Sequence, residues 1–395
     1  MTINTHMKNR VLLLLIVLMV AALLLPFLRI APNRIVTAQG IGFFEVFARA
    51  QAVWLLSPLV VLLMAVFFTP SRRTNMWVII AASLWMGAMC LAAGGYAVQT
   101  AQYSSPLTRV SFGGGFWLMV LLTWLIAVDA VSHLTDQVVY RNLGGWVVFL
   151  PVVLLLASGA LSSMSMLKEY ANNQSAFDDA LAQHIFIVAL TLLITLLIGI
   201  PLGILAFRKL RLGATILKVL SVIQTIPSIA LFGLLIAPLA ALSTRYPILA
   251  HWGIKGIGVT PAVIALTLYS LLPIVRSTAS GLTQVSPAVV EAARGMGFNS
   301  WQILWQVQAR LALPVLLSGL RVTTVQAVGL TMVAALIGAG GFGAIVFRGL
   351  SGSVVDLVVL GVIPVVVLAV CADALFKILV SLLDKQNPAQ KESKL

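Results

Sequence analysis

The sequence has very few of the charged residues that a soluble protein needs. Charged side chains make up 9% of its 395 residues, whereas hydrophobic side chains make up 61%, and the mean hydropathy is +1.07. A soluble globular domain requires far more polar surface than this composition supplies. The composition therefore excludes an ordinary soluble fold and predicts a membrane protein that crosses the bilayer several times.

Reactive and metal-binding side chains are also scarce. Cys90 and Cys371 both lie in apolar runs, so neither a disulfide framework nor a thiolate metal site is expected. The four histidines are scattered along the chain, and the sequence contains no Walker, HExxH or GxSxG motif. We therefore predict no catalytic, cofactor-binding or metal-binding residues, and the sequence disfavours an intramembrane enzyme.

Long apolar runs dominate what is present. A helix that crosses a bilayer needs about 20 mostly apolar residues, and this length predicts ten spans. They lie near residues 11–30, 51–69, 76–98, 114–132, 145–163, 185–207, 217–240, 257–276, 315–338 and 355–382. The predicted fold class is an all-α polytopic membrane protein of about ten transmembrane helices.

The placement of basic residues predicts the orientation. With ten spans and a cytoplasmic N-terminus, seventeen Lys and Arg fall on the cytoplasmic side and eight on the opposite side, which together account for all 25. Because positive charge collects in cytoplasmic loops, we predict that both termini are cytoplasmic. No basic stripe is interleaved with aromatic residues, so nucleic-acid binding is not expected.

The chain is predicted to divide into four regions. They are an accessory five-span region at 1–164, an extracytoplasmic amphipathic connector at 165–184, a core at 185–382 with a cytoplasmic loop at 277–313, and a cytoplasmic tail at 383–395. Proline and glycine interruptions are concentrated in the core. Ion-coupled secondary transporters often carry broken helices at corresponding positions of both halves. Here the interruptions are concentrated in the second half, which counts against an ion-coupled secondary transporter. We keep such a transporter as the alternative function.

The loop at 277–313 carries a spaced motif. It contains Glu-Ala-Ala, three residues and then glycine, at Glu291, Ala292, Ala293 and Gly297, with Gly295 between them. Two alanines allow a short surface helix to approach a groove closely, and a glycine can end that helix. The spacing predicts a docking site for a separate protein. Taken alone, it is equally compatible with an ordinary surface helix.

Polar residues within the spans of the core are candidates for a translocation path. They are Gln224, Thr225, Pro227, Ser228, Tyr269, Thr324, Gln326 and Thr331. Proline removes a backbone donor, and a break inside a membrane persists only when it is buried in protein or lines a wet cavity. The same residue types also serve local hydrogen bonding and helix packing. The sequence does not separate these two uses.

Two charged residues lie inside predicted spans. Ionisable groups in a bilayer are costly and usually paired, and Arg321 and Asp373 fall at similar depths in antiparallel spans. We predict that they pair or share a polar network. The alternative is that the Arg321 side chain extends to the membrane surface.

Several stretches of the chain carry a family resemblance. In the second half they are GIPLGILAF, VIQTIPSIALFGLLIAPL, LYSLLPIVRSTASGL, EAARGMGF, LALPVLLSGLR and ALIGAGGFGAIVFRGL. Together they resemble the permease subunits of ABC importers for osmoprotectants such as glycine betaine, carnitine, choline and proline. In the first half, APNRIV, FGGGFWL and LKEYANNQSAFDDALAQH are similar to YehY-type glycine betaine uptake permeases.

The resemblance implies an architecture and a set of partners. It implies a MetI-like five-helix core, a second permease subunit that is identical or homologous, an extracytoplasmic solute-binding protein and a cytoplasmic ATPase dimer. ATP and Mg would be bound by that ATPase, and this chain would bind no cofactor. The resemblance also implies that the chain lies in the cell inner membrane. The family pattern places Leu-Pro four residues before Leu313-Pro314, which leaves the length of the coupling helix open.

Overall fold

The computed structural model describes residues 9–34, 36–49, 53–135 and 137–384. The chain divides into two compact units. The N-terminal unit comprises Met1–Asn173 together with Gly352–Asp356, and the C-terminal unit comprises Gln174–Ser351 together with Leu357–Leu395.

The N-terminal unit combines helices with a small sheet. Its elements are α1 (Arg10–Ala22), β1 (Leu28–Ala31), β2 (Gln39–Ile41), α2 (Phe43–Arg49), α3 (Ser57–Ala65), α4 (Arg72–Tyr103), β3 (Arg109–Phe112), α5 (Gly114–Ser132), α6 (Val138–Gly144), α7 (Leu150–Ala157) and α8 (Ser165–Asn172). Short 3-10 turns at Val53–Leu56 and Gly145–Phe149 precede α3 and α7.

The antiparallel sheet, of strand order β2-β1-β3, is a feature that the sequence analysis does not anticipate. The first predicted span continued to residue 30, but the chain leaves helical geometry near Pro26, which has no backbone N–H to continue the helix. Leu28 then pairs with Ile41 on one side and with Phe112 on the other. An apolar run that reads as one span therefore contains a helix followed by a strand.

Aromatic rings fill the core of the N-terminal unit. The ring of Phe27 lies 5.2 Å from Phe43, 6.0 Å from Phe47 and 5.5 Å from Phe116, measured between centroids. Phe47 in turn stacks on Trp85 of α4 at 6.0 Å. Phe27, Phe43, Phe47 and Trp85 are at most 1% exposed. Such rings bury large apolar areas in specific geometries, so they fix the position of the sheet against α2, α4 and α5.

The C-terminal unit is built from helices. They are α9 (Gln174–Arg208), α10 (Leu210–Thr225), α11 (Ser228–Arg245), α12 (Pro247–His251), α13 (Val259–Thr283), α14 (Pro287–Gly295), α15 (Ser300–Gln302), α16 (Ala309–Ala334), α17 (Phe342–Ser351) and α18 (Val355–Asp384), whose first two residues belong to the N-terminal unit. A π-helical segment, Ile303–Gln308, joins α15 to α16, and a 3-10 turn, Ala335–Ile337, follows α16.

Helix α13 packs against both α9 and α16 with the backbones close together. A Cβ atom added to Gly203 of α9 would lie 2.5 Å from the Cβ of Thr278, and one added to Gly319 of α16 would lie 2.1 Å from the Oγ of Ser277. Small residues at helix contacts are typical of membrane proteins, where close backbone approach provides the van der Waals attraction. These glycines therefore set the distance between the three central helices.

Eight helices among the described residues are long and apolar enough to cross a membrane. They are Arg72–Tyr103, Gly114–Ser132, Val139–Ala157, Gln174–Arg208, Ser228–Arg245, Val259–Thr283, Ser300–Ile337 and Val355–Leu383. The prediction of a helical, multi-span membrane fold is confirmed, and the count of about ten is approximate. The predicted spans at 11–30 and 51–69 correspond to the shorter apolar helices Arg10–Ala22 and Trp54–Ala65.

Candidate coupling loop and transport core

The Glu-Ala-Ala motif lies on α14, a nine-residue helix that starts with a proline in its first turn. Proline is favoured there because the first backbone N–H groups of a helix have no partner within it. Ala293 is 2% exposed and packs inward, whereas Glu291 and Ala292 are exposed. The helix thus anchors itself through one alanine and leaves the other alanine and the carboxylate accessible.

A Schellman motif ends α14. The backbone N–H of Gly297 donates to the carbonyl of Arg294 at 3.0 Å, and the N–H of Phe298 donates to the carbonyl of Ala293 at 3.2 Å. Gly297 takes the left-handed conformation that this cap requires, with φ of +88°. Gly295 is helical, and added Cβ atoms at Gly295 and Gly297 would meet nothing within 4 Å. Gly297 is therefore needed for the left-handed backbone conformation. Because neither glycine has a side chain, both leave open space at the surface of this turn.

A second cap starts the next helix only two residues later. The Asn299 side chain accepts hydrogen bonds from the N–H groups of Trp301 at 3.1 Å and Gln302 at 2.8 Å. The side chain of Gln302 accepts one from the N–H of Asn299 at 2.8 Å, which completes a capping box. The chain between α14 and α15 is thus held by hydrogen bonds at both of its ends.

Exposed apolar side chains surround this turn. Met296 is 71% exposed and Trp301 is 63% exposed, and the ring of Trp301 meets that of Trp305 edge to face at 5.6 Å. Sequence reasoning missed these three residues. Two tryptophans four residues apart in a loop predicted to lie outside the membrane were the available signal, because aromatic residues and methionine are enriched in protein interfaces.

The π-helical segment connects the loop to the helix core. Ile303 and Leu304 are 4% and 2% exposed, and Leu304 packs in one cluster with Leu282 of α13 and Ala312 of α16. The π segment continues directly into α16, and Pro314 lies inside that helix. Leu313-Pro314 therefore does not end this helix, and the chain is helical without a break through the candidate membrane span Ser300–Ile337.

Pro227 breaks the predicted seventh span into α10 and α11. Ile226 is extended, with ψ of 127°, as expected for the residue before a proline. Its carbonyl accepts a hydrogen bond from the Tyr269 hydroxyl of α13. The Gln224 amide donates to the Tyr269 carbonyl at 2.7 Å, so α13 supports the break by two hydrogen bonds.

Around the same break, the Thr225 hydroxyl donates to the Val222 carbonyl of its own helix at 2.7 Å. Thr225 and Pro227 are exposed, and Ser228 is half-buried. Local hydrogen bonding thus accounts for Thr225, whereas Gln224 and Tyr269 are brought together across two helices.

Arg321 and Asp373 contact each other. The Nε atom of Arg321 lies 3.0 Å from one carboxylate oxygen of Asp373. The Lys377 amine lies 2.7 Å from the other oxygen, one turn along α18. Sequence reasoning did not include Lys377, although its spacing of four residues from Asp373 is that of neighbours on a helix surface.

The chain matches two protein families. Residues 8–167 match the family described as ABC transporter permease YehY, N-terminal domain, and residues 196–385 match the family described as binding-protein-dependent transport system inner membrane component. The osmoprotectant import permease protein OsmW of Salmonella typhimurium is 42% identical over 191 residues, which are 48% of this chain and 84% of that protein. The chain belongs to the ABC importer permease family.

Other relatives carry different transport names. The choline transport system permease protein OpuBD of Bacillus subtilis is 35% identical over 207 residues, which are 52% of the permease and 84% of that protein. The ergothioneine transport permease/ergothioneine binding protein EgtU of Helicobacter pylori is 36% identical over 211 residues, which are 52% of the permease and 35% of that protein. Family membership favours an ABC permease over the ion-coupled alternative.

The remaining path candidates of the permease lie on α16. Thr324 and Thr331 are buried, and each hydroxyl donates to the carbonyl four residues earlier, at 2.8 and 2.7 Å. Gln326 is half-buried. Thr195 and Thr278 on α9 and α13 form the same bond within their own helices. The hydroxyls of Thr324 and Thr331 are thus satisfied inside α16 and serve packing in this conformation.

His184 is a buried polar residue that the sequence placed in the connector rather than in the helix core. It is 0% exposed on α9, and its Nε2 lies 3.1 Å from the Val328 carbonyl of α16. A carbonyl oxygen only accepts, so Nε2 carries the proton. A Cβ at Gly341 would lie 3.1 Å from the other ring nitrogen. Its only sequence signal was its position on the apolar face of the helix.

Proposed function

We propose that this permease is the membrane subunit of an ATP-driven importer for a compatible solute such as glycine betaine. The relatives named for osmoprotectant and choline transport support this substrate class. A solute-binding protein outside the membrane would select the solute, with aromatic rings attracting its quaternary ammonium group. The permease would supply the gated path and perform no catalysis itself.

The exposed face of α14 is the proposed docking site for a cytoplasmic ABC ATPase dimer. Its single strongest support is the Schellman-capped helix, which presents Glu291 and Ala292 outward while Ala293 is buried. Gly295 and Gly297 leave open space for a partner. Met296 and Trp301 add exposed apolar area next to them. A short rigid helix with this surface fits a groove and transmits force without catalytic groups.

Transport would then follow alternating access. ATP and Mg bind to the ATPase, whose movement would displace the loop that contains α14 and, through Leu304, the core around α13 and α16. A second permease subunit, identical or homologous, would complete the membrane part.

We assign the cell inner membrane as the location, with both termini and the loop at 277–313 in the cytoplasm. The four-region organisation also enters this proposal, with 1–164 as accessory region, 165–184 as connector, 185–382 as transport core and 383–395 as tail. The basic residues concentrated on one predicted side support the orientation.

The break between α10 and α11 is the proposed centre of the translocation path. Its support is that Gln224 and Tyr269 hold an interrupted backbone open by side-chain hydrogen bonds. Thr225, Pro227 and Ser228 lie at the same break, and Gln326 lies on α16. Thr324 and Thr331 would line the path only in a state in which α16 has moved, because they are buried in this one.

Co-purification with the candidate ATPase tests the coupling assignment. Glu291→Arg reverses the charge on the docking face, and Gly297→Trp adds bulk and strain at the cap, so both should lose the ATPase. Matched controls are Glu45→Arg, an exposed glutamate of the N-terminal unit, and Gly253→Trp, a glycine with φ of +84° and open surroundings. Both controls should retain it.

Two outcomes would contradict the proposal. Equal ATPase recovery from the loop variants and their controls would remove the docking site from α14. Failure to recover any ATPase with the native loop, while the purified permease is monodisperse, would shift the function to ion-coupled transport. Uptake of labelled glycine betaine, competed by choline and carnitine, then distinguishes the substrate class.

A further inference from the structure

The N-terminal unit contains a cavity that the transport proposal does not use. Its volume is about 390 Å³, within the range of small-molecule sites. Arg109 and Lys168 line it on the polar side, and Leu156, Leu161 and Leu167 line it on the apolar side. The cavity thus combines two cationic groups with an apolar wall.

The charges around this cavity do not cancel. Among the described residues, no acidic side chain lines it. The nearby buried carboxylate of Glu169 has one oxygen 3.0 Å from the guanidinium of Arg34 and the other 4.0 Å from that of Arg109. Glu169 therefore lies near two arginines, while the cavity lining itself holds two cationic side chains and an excess of positive charge.

The environment of Lys168 agrees with this excess. Burial lowers the pKa of Lys168 from its usual value, and the neighbouring positive charge of Arg109 lowers it further. A like-charge neighbour disfavours the protonated amine, and an anion between the two groups would remove that penalty.

Arg109 also has hydrogen-bonding capacity to spare. Its Nε atom is buried and has no hydrogen-bond partner in the described part of the chain. A buried donor left without a partner costs about 1–3 kcal/mol, and most such groups in native proteins have a partner. Arg109 thus lines the cavity with a guanidinium whose Nε is buried away from it and is not satisfied by the described residues.

The cavity lies at the end of a candidate membrane span. Val139–Ala157 is long and apolar enough to cross the bilayer, and Leu156 at its end lines the cavity. None of the residues of α7 is buried, and Val153 and Leu154 are 57% and 62% exposed. An exposed leucine surface that leads to a basic cavity matches the path of an acyl chain up to its headgroup.

We propose that this cavity binds the phosphate of an anionic phospholipid headgroup, with Arg109 and Lys168 as ligands and an acyl chain along α7. Basic pockets beside transmembrane helices are suited to such headgroups. A free phosphate ion presents the same charge and acceptors but makes no use of the leucine wall. Because the cavity lies at the end of a candidate membrane span, where lipid headgroups are found, we commit to the lipid rather than to an acidic segment of a partner protein.

Lipid binding to the full chain, purified in neutral detergent, tests this proposal. Phosphatidylglycerol, phosphatidylcholine and inorganic phosphate are titrated separately, and affinity is measured by native mass spectrometry and by the shift in Tm. Lys168→Gln should weaken phosphatidylglycerol binding about fivefold, the effect expected of one basic residue at an anionic lipid surface. Ala171→Trp, on an exposed position that lines the cavity, should block binding without a change of charge.

Lys255→Gln is the matched control, because Lys255 is an exposed lysine in a loop of the C-terminal unit. The proposal stands if phosphatidylglycerol raises Tm equally in the native chain and this control, requires about fivefold more lipid for the same shift in Lys168→Gln, and has no effect on Ala171→Trp. Equal effects of inorganic phosphate would assign the site to a soluble anion instead. Equal phosphatidylglycerol binding by all four proteins, or binding to an acidic partner protein alone, would overturn it.

Discussion

The two units of the permease pack their cores by different means. In the N-terminal unit, buried residues from α1, the sheet, α4 and α5 form one continuous apolar cluster with interlocked aromatic rings. In the C-terminal unit, the described core separates into smaller clusters, and α13 meets its neighbours at glycine and hydroxyl side chains. Interlocked rings resist sliding, whereas shallow small-residue contacts allow helices to shift by an ångström or two. The two units therefore differ in what holds their helices together, aromatic rings in one and close backbone contacts in the other.

Removal of one aromatic ring should give the largest effect. Phe27→Ala deletes the ring that meets Phe43, Phe47 and Phe116, and the cavity left behind should cost about 3–5 kcal/mol. Phe68→Ala, at a site that is 58% exposed, serves as control. Thermal unfolding in detergent measures the difference. Similar Tm values for the two variants would show that the N-terminal core is not held by these rings.

One carboxylate in each unit provides the next comparison. Glu169 is 1% exposed beside Arg34 and Arg109, so Glu169→Ala should cost about 3 kcal/mol by leaving buried positive charge unpaired. Asp373 lies in a candidate membrane span, so Asp373→Ala should leave the Arg321 side chain without its partner carboxylate and reduce assembly and uptake. Lys377→Ala, which keeps the Arg321 contact, should have a smaller effect on both. Normal expression and uptake in Asp373→Ala would refute the role of this pair.

Features set by local sequence could be predicted, whereas contacts between residues distant in the sequence could not. Pro227 predicts the break between α10 and α11 because proline has no backbone N–H for a helical hydrogen bond. The glycine at position 297 likewise predicts the C-terminal cap of α14. The partner of the break, Tyr269, lies 43 residues from Ile226, and no local pattern specifies such a contact. The sheet was missed because Leu28, Ile30 and Ala31 are apolar and follow an apolar helix closely, with Arg29 as the one charged residue of the strand. Burial of His184 likewise depends on α16 and α17, which approach it only in the folded chain.

Helix spacing in the C-terminal unit should tolerate a methyl group at one glycine of α16 but not at another. A Cβ at Gly319 would fall 2.4 Å from the Cβ of Ser277, whereas one at Gly329 meets nothing within 4 Å. Gly319→Ala should therefore destabilise the unit by about 1–3 kcal/mol and slow uptake, while Gly329→Ala is neutral or slightly stabilising. Uptake and Tm measured side by side decide this. Equal behaviour would mean that close backbone approach does not set the function of this unit.

Left-handed glycines should give the smallest and most selective effect. Gly159 in the N-terminal unit and Gly297 in the C-terminal unit have φ of +74° and +88°, and both are surrounded by open space. Alanine at either position should cost about 1 kcal/mol through the same backbone strain. Only Gly297→Ala should lower solute-stimulated ATP hydrolysis in the assembled importer. A similar loss in Gly159→Ala would indicate that strain alone, rather than the coupling helix, explains the result.

The π-helical segment at Ile303–Gln308 affects the direction in which α14 points around the axis of α16. A regular α-helix turns by about 100° per residue, and a π segment accommodates an additional residue without breaking the rod. Deleting one residue there and restoring α geometry would rotate α14 by about 100° around the axis of α16, so that Glu291 and Ala292 would face a different direction. If α14 docks the ATPase as proposed, the number of residues between Gly297 and Pro314 sets the direction in which its exposed face points, in addition to the motif itself.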